Sequence, residues 1–75
     1  MLLMRAARVV HPMPLYLLAR RTGISPSRLS LIEREFVMAS PDERQKIAQA
    51  LGADEMFLFQ PATVAAFAGA GGVVR

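Results

Sequence analysis

The twenty residues from Leu15 to Arg34 constrain this chain more than any other stretch. Leu15, Leu18, Ala19 and Thr22 recur at i, i+3, i+4 and i+7, one apolar stripe at helical period. Thr22-Gly23-Ile24 then reads as a tight turn, with Gly23 where a helix end needs a left-handed residue at low steric cost. Ser25 is placed to accept from a free N–H as N-cap. Pro26 suits the first helical position because its missing N–H would go unpaired there anyway. The following helix returns apolar residues at Leu29, Ile32 and Phe36, while the arginines fall away from the stripe. Two short helices joined by a three-residue turn must bury one shared face, so the rest of the chain has to cover it.

That cover comes from a short chain. Seventy-five residues make one domain, near the lower size at which an apolar core holds a fold unaided. There is no cysteine, which removes disulfides and thiolate metal sites. With 53% apolar residues and no staple, association into a homodimer is expected. Charge is unevenly spread. Residues 1–34 carry six arginines against Glu33 alone, net +5, while residues 35–75 are net −2. A positive half that also holds the paired helices suggests a polyanion partner on one face.

Leu2 to Val10 reads as a first helix with Leu2, Leu3, Ala6, Ala7 and Val10 inward and Arg5 outward, and a strand at Arg8–Val10 competes with it. His11-Pro12 ends that element, and Pro14 opens the next at its first position. His11 has no cysteine, second histidine or acidic cluster near it and reads as a loop residue. Tyr16 reads as packing or a phosphate donor. Ser40-Pro41-Asp42-Glu43 carries a capping box, and its two carboxylates favour the positive end of the helix that follows, which runs to Leu51 with Ile47, Ala48 and Leu51 inward and stops at Gly52. Asp54 caps a last short helix through Phe59, with Phe57, Leu58 and Phe59 as its core.

The domain is therefore residues 1–60, followed by a tail, residues 61–75, that is uncharged as far as Val74. The tail is read as a helical turn at Thr63–Phe67, as flexible chain, or as a Val73-Val74 strand against another subunit. Arginines at 5 and 8 interrupt any apolar core of a signal peptide. The uncharged run from Met56 to Val74 approaches the ~20 residues that span a bilayer, but Gln60-Pro61 and three glycines interrupt it. No membrane partner, metal or cofactor is expected, and the cytoplasm is the expected location.

In this order and at these spacings, Leu18-Ala19, Thr22-Gly23-Ile24-Ser25, Leu29, Ile32-Glu33-Arg34, Ile47-Ala48, Ala50-Leu51-Gly52 and Leu58-Phe59 resemble the Cro and phage-repressor (XRE-type) helix-turn-helix family, over roughly Met4 to Phe59. The resemblance implies an all-α, lambda-repressor-like domain of five helices whose third helix enters the major groove of double-stranded DNA. It implies a structural brace between Arg8 and Glu33, base contacts at Pro26, Ser27, Arg28 and Leu31, and backbone contacts at the start of the second helix and after the third.

This chain departs from the family pattern in its chemistry. Reading positions are often glutamine, arginine or asparagine, whose forked side chains distinguish base edges, and Pro26 and Leu31 have no such fork. The second helix begins with Pro14, Leu15 and Tyr16 in place of polar phosphate donors. The loop usually has a glycine after the Glu-Arg pair, where this chain has Glu35 followed by Phe36, Val37 and Met38. Arg20, Arg21, Arg28 and Arg34 remain as phosphate ligands, which gives salt-sensitive binding with little sequence choice. The expected function is a small DNA-binding regulator. The alternative is a protein-interaction module or antitoxin-like protein that uses Leu15, Tyr16, Leu31, Phe36, Val37, Met38 and the tail as apolar surface. An enzyme is not expected: there is one histidine, no cysteine and no unexplained carboxylate pair.

Overall fold

A computed structural model describes residues 1–62, and the three readings of the tail, at Thr63–Phe67, as flexible chain and at Val73-Val74, lie outside the described residues. Five helices follow one another: α1 (Leu3–Val10), α2 (Leu15–Thr22), α3 (Pro26–Glu33), α4 (Pro41–Leu51) and α5 (Glu55–Leu58). α2 packs on α3 and α4, α1 packs on α3 and α5, and α4 packs on α5. The core between them is Leu2, Met4, Met13, Leu18, Ile24, Leu29, Ile32, Ile47, Leu51 and Leu58.

Local chemistry sets most boundaries. Gly23 ends α2 at φ +76°, its N–H donating to the Ala19 carbonyl at 2.8 Å. Thr22 is buried beside that turn because its hydroxyl donates to the Leu18 carbonyl and accepts from the Ile24 N–H. Ser25 caps α3 and Pro26 opens it. Ser40 and Glu43 complete both halves of the capping box on α4, and Gly52 ends that helix at φ +62°. Asp54 caps α5. His11, in the loop after α1, donates from Nε2 to the Leu51 carbonyl at 2.6 Å and so satisfies an orphan acceptor at the end of α4.

Where structure and sequence expectation differ, non-local contacts decide. Arg8–Val10 is helical, not a strand. The inward face of α1 is Met4 and Arg8 with Ala7 half-buried, while Ala6 is exposed and Val10 is 82% exposed. The helix is rotated so that Arg8 reaches an acid on α3. α1 has no side-chain cap. Its leading N–H groups are met from elsewhere in the chain: Leu2 donates to the Glu33 carbonyl and Leu3 to the Gln60 carbonyl. Pro14, expected at the first helical position, is instead the N-cap of α2 in extended backbone, so the helix begins one residue later at Leu15.

Phe36 does not continue the α3 stripe. α3 ends at Glu33, and Glu35 takes φ +67°, the one non-glycine residue with positive φ among the described residues. The Phe36 N–H donates to the Leu31 carbonyl and the Glu35 N–H to the Ile32 carbonyl, which is the Schellman closure with glutamate in the place usually held by glycine. The chain reverses there and Phe36 is left 69% exposed. In α5 only Leu58 is fully buried, since a four-residue helix turns just one side inward. Phe57 stands out and Phe59 is half-buried. Past α5, Pro61 forms an isolated antiparallel bridge with Leu2, and the Ala62 N–H donates to the Met1 carbonyl at 2.7 Å.

Candidate nucleic-acid interface

Two ion pairs set the geometry around α3. The first is internal. Arg8 forks onto Glu33, Nε to Oε2 at 2.6 Å and Nη2 to Oε1 at 3.3 Å, and its Nη1 donates to the Met13 carbonyl at 3.0 Å. Glu33 is 3% exposed. One arginine thus ties α1, the linker before α2, and the end of α3, and both partners of the expected brace point into the protein.

The second pair lies at the other end of α3. Arg28 donates from Nε to Glu43 Oε2 at 2.6 Å and from Nη2 to Oε1 at 2.9 Å, and the same Oε1 accepts from the Ser40 N–H at 2.9 Å. The Arg28 bonds hold the Glu43 carboxyl well below its ordinary value, to about 2, with the Ser40 N–H adding to the effect. The Arg28 guanidinium is raised in turn by the same hydrogen bonding to Glu43. The sequence pattern groups Arg28 with the base-facing residues; the structure instead turns its charged fork onto α4, because Glu43 is anchored within reach by its own cap.

The remaining candidates divide by face. Pro26, Ser27 and Arg34 are exposed, Leu31 is half-buried, and these four line one shallow recess with Ser30 along α3. Arg34 also borders a second recess with Arg5, Leu15 and Ser30, and its guanidinium lies 5.1 Å from the Phe36 ring centre. Arg5 is the residue the sequence pattern leaves out of the set: its exposure is foreseeable from the α1 period, its proximity to Arg34 is not. Arg20 is exposed on the last turn of α2. Arg21 is separated from the α3 face and borders a recess with Lys46, Gln49 and Ala50 of α4, since neighbouring residues on a helix point about 100° apart. Tyr16, 64% exposed, is free to act as a donor.

The apolar patch expected around the loop is likewise divided. Val37 and Met38 line a groove of about 250 Å³ with Leu2, Ile32, Ala39 and Phe59, bordered by Glu35 and Arg44. Arg44 sits over the Phe59 ring at 5.3 Å and 3.2 Å from Glu55. Leu15 and Leu31 belong to the recesses beside α1 and α3, and Phe36 stands under Arg34.

A compact set of helices with a glycine turn between α2 and α3 is the helix-turn-helix arrangement, and the sequence agrees: a family model described as Helix-turn-helix matches residues 13–58. The chain belongs to the Cro and phage-repressor (XRE-type) helix-turn-helix family. The family is one of DNA-binding regulators. In the helix-turn-helix frame α2 and α3 form the motif, and α1, α4 and α5 supply its cover. No curated protein and no solved structure matches the chain. Among the described residues no helix is long and apolar enough to cross a membrane, and no group of three or more histidine, cysteine or acidic side chains is arranged to hold a metal ion.

Proposed function

We propose that the protein is a DNA-binding regulator that places α3 in the major groove of double-stranded DNA and acts in the cytoplasm as a homodimer on two half-sites about one helical turn apart. The observation that supports this most is the outer face of α3, where Pro26, Ser27 and Leu31 lie along a recess that ends at Arg34. Ser27 bonds either kind of base edge, and Leu31 suits thymine methyls. Arg34 and Arg20 hold phosphates, Arg5 joins them beside Arg34, and Arg21, turned toward α4, is left out of the contact. Most of the binding energy then comes from backbone charge, so affinity falls steeply with salt and depends little on sequence. Dimerisation supplies the affinity a single small module lacks.

Fluorescence anisotropy with a random duplex in a salt series tests this. Binding in the micromolar range at low salt is expected, and Arg5→Ala with Arg34→Ala together should flatten the salt slope by about 2. No binding at tens of micromolar protein, about the range of non-specific binding, sinks it.

A second reading rests on the groove lined by Leu2, Val37, Met38, Ala39 and Phe59. It treats the same scaffold as a protein-interaction or antitoxin-like module, with the partner seated at Val37 and Met38. Met38→Asp abolishing association in light scattering, with DNA binding by the monomer intact, would favour this reading for the groove.

A further inference from the structure

We propose that Glu43 withholds Arg28 from DNA, so that this acid on α4 determines how many charges the motif presents to the phosphate backbone. The inference rests on the DNA-binding reading and goes beyond it by naming a residue that limits binding.

Arg28 occupies the third position of α3, in the first turn, where a recognition helix meets base edges and flanking phosphates. An arginine there is the residue best suited to fork onto guanine or grip a phosphate. Its fork is occupied instead. Nε and Nη2 both donate to Glu43, and Glu43 does not swing freely: its Oε1 also holds the Ser40 N–H, and its own N–H donates to Ser40 Oγ at 3.1 Å. The carboxylate is 17% exposed and built into the first turn of α4. Glu43 is therefore an anchored acceptor and Arg28 is drawn to it. The depressed carboxyl of Glu43 keeps the pair charged throughout the physiological range.

Among the residues that line this cleft, the one other cation has an acid partner of its own. Lys46, which borders the same cleft, pairs with Asp42 at 3.1 Å. Replacing the carboxylate with an amide should thus free one arginine without dismantling the helix start, since glutamine closes a capping box as glutamate does.

The test compares wild type, Glu43→Gln and the charge-matched pair Arg28→Gln/Glu43→Gln on one random duplex. All are checked by urea melts, and salt slopes are measured for each. E43Q should bind about tenfold more tightly near ~50 mM salt, with a slope steeper by about 0.9, the value of one added phosphate contact. The double variant should return to the wild-type slope. In the wild type, the Arg28 Nε–H resonance should not move when DNA is added. The proposal is overturned if E43Q leaves the slope unchanged, if the double variant has a flatter slope than wild type, or if the Arg28 resonance shifts with DNA. The last two results would mean that Arg28 already touches phosphate. Failure of every form to bind, wild type included, overturns the DNA-binding reading with it, whereas salt-dependent wild-type binding with an inert E43Q overturns the inference alone.

Discussion

Removing Arg8 while leaving Glu33 in place tests how the domain is held together. Arg8→Met keeps the length and apolar stem of the side chain but deletes three donations: Nε and Nη2 to Glu33, and Nη1 to the Met13 carbonyl. What remains is a carboxylate whose side chain is only 4% exposed, with no counter-charge, facing a methionine. Breaking one half of a buried pair costs about 3–5 kcal/mol, because the stranded charge still bears its desolvation penalty. A domain of this size holds roughly 4–11 kcal/mol in total. R8M should therefore lose at least about a quarter of its stability, and more than half if the total is near the middle of that range. With m of about 1 kcal/mol/M, the urea midpoint should move down by about 3 M, read by circular dichroism at 222 nm. Arg8→Met/Glu33→Leu removes both charges together and should recover most of the loss, to within about 1 kcal/mol of wild type, since apolar side chains of similar volume replace buried pairs at little cost. It should also bind DNA as wild type does, because neither side chain lies on the outer face. The reasoning is refuted if R8M costs under about 1 kcal/mol, or if the double variant is no more stable than R8M.

Two positive-φ positions should respond unequally. Gly23 has φ +76° and nothing within 4 Å of an added Cβ, so Gly23→Ala costs only conformational strain, about 1 kcal/mol in a urea melt. Glu35 holds φ +67° with a full side chain, which also pairs with the N-terminal amine at 2.6 Å. Glu35→Gly relieves the strain but gives up that exposed pair and gains freedom in the unfolded chain, so stability should change by under about 0.5 kcal/mol. Acid should weaken the domain through Glu43. Its carboxyl is depressed from 4.5 to about 2, so the unfolded chain binds the proton first. The contribution is whole above pH ~4.5 and disappears as the pH falls toward 2, and thermal melts should show a steeper decline across that window for wild type than for E43Q.

The parts of this fold that were legible in sequence are those set by neighbours in the chain. Ser25-Pro26, Ser40 with Glu43, Gly23 and Gly52 each satisfy a backbone requirement within a few residues, and each acts where its pattern places it. Periodicity failed where a contact crosses the fold. No stripe rule turns an arginine inward, and Arg8 is inward because Glu33 lies 25 residues away in sequence and next to it in space. The family resemblance carried that pair; the α1 pattern alone pointed to Val10. The same limit applies to Arg28. Its type and position suggest base contact, and only the meeting of two helix starts shows its charge committed to Glu43. Phe36 left the α3 stripe for a different cause: an acidic residue in a left-handed conformation reverses the chain just before it, and glutamate carries no local signal for that backbone.

The bridge between Leu2 and Pro61 bears on how the domain assembles in time. α2, α3 and α4 contact one another across short stretches of chain, and such local contacts close quickly. The seat of α1 is different. Two of the N–H groups leading into it are met at Glu33 and at Gln60, and part of its packing surface is α5. A chain emerging from the ribosome exposes the apolar side of α1 first and receives its last partner at the end of the domain. Loop closure across nearly the whole domain is the slow entropy term, so the α2–α4 unit should condense first and the α1–α5 clasp should close afterwards. The clasp is then the part that opens most readily in native-state hydrogen exchange, with the Leu2 and Leu3 amides exchanging ahead of those in α2.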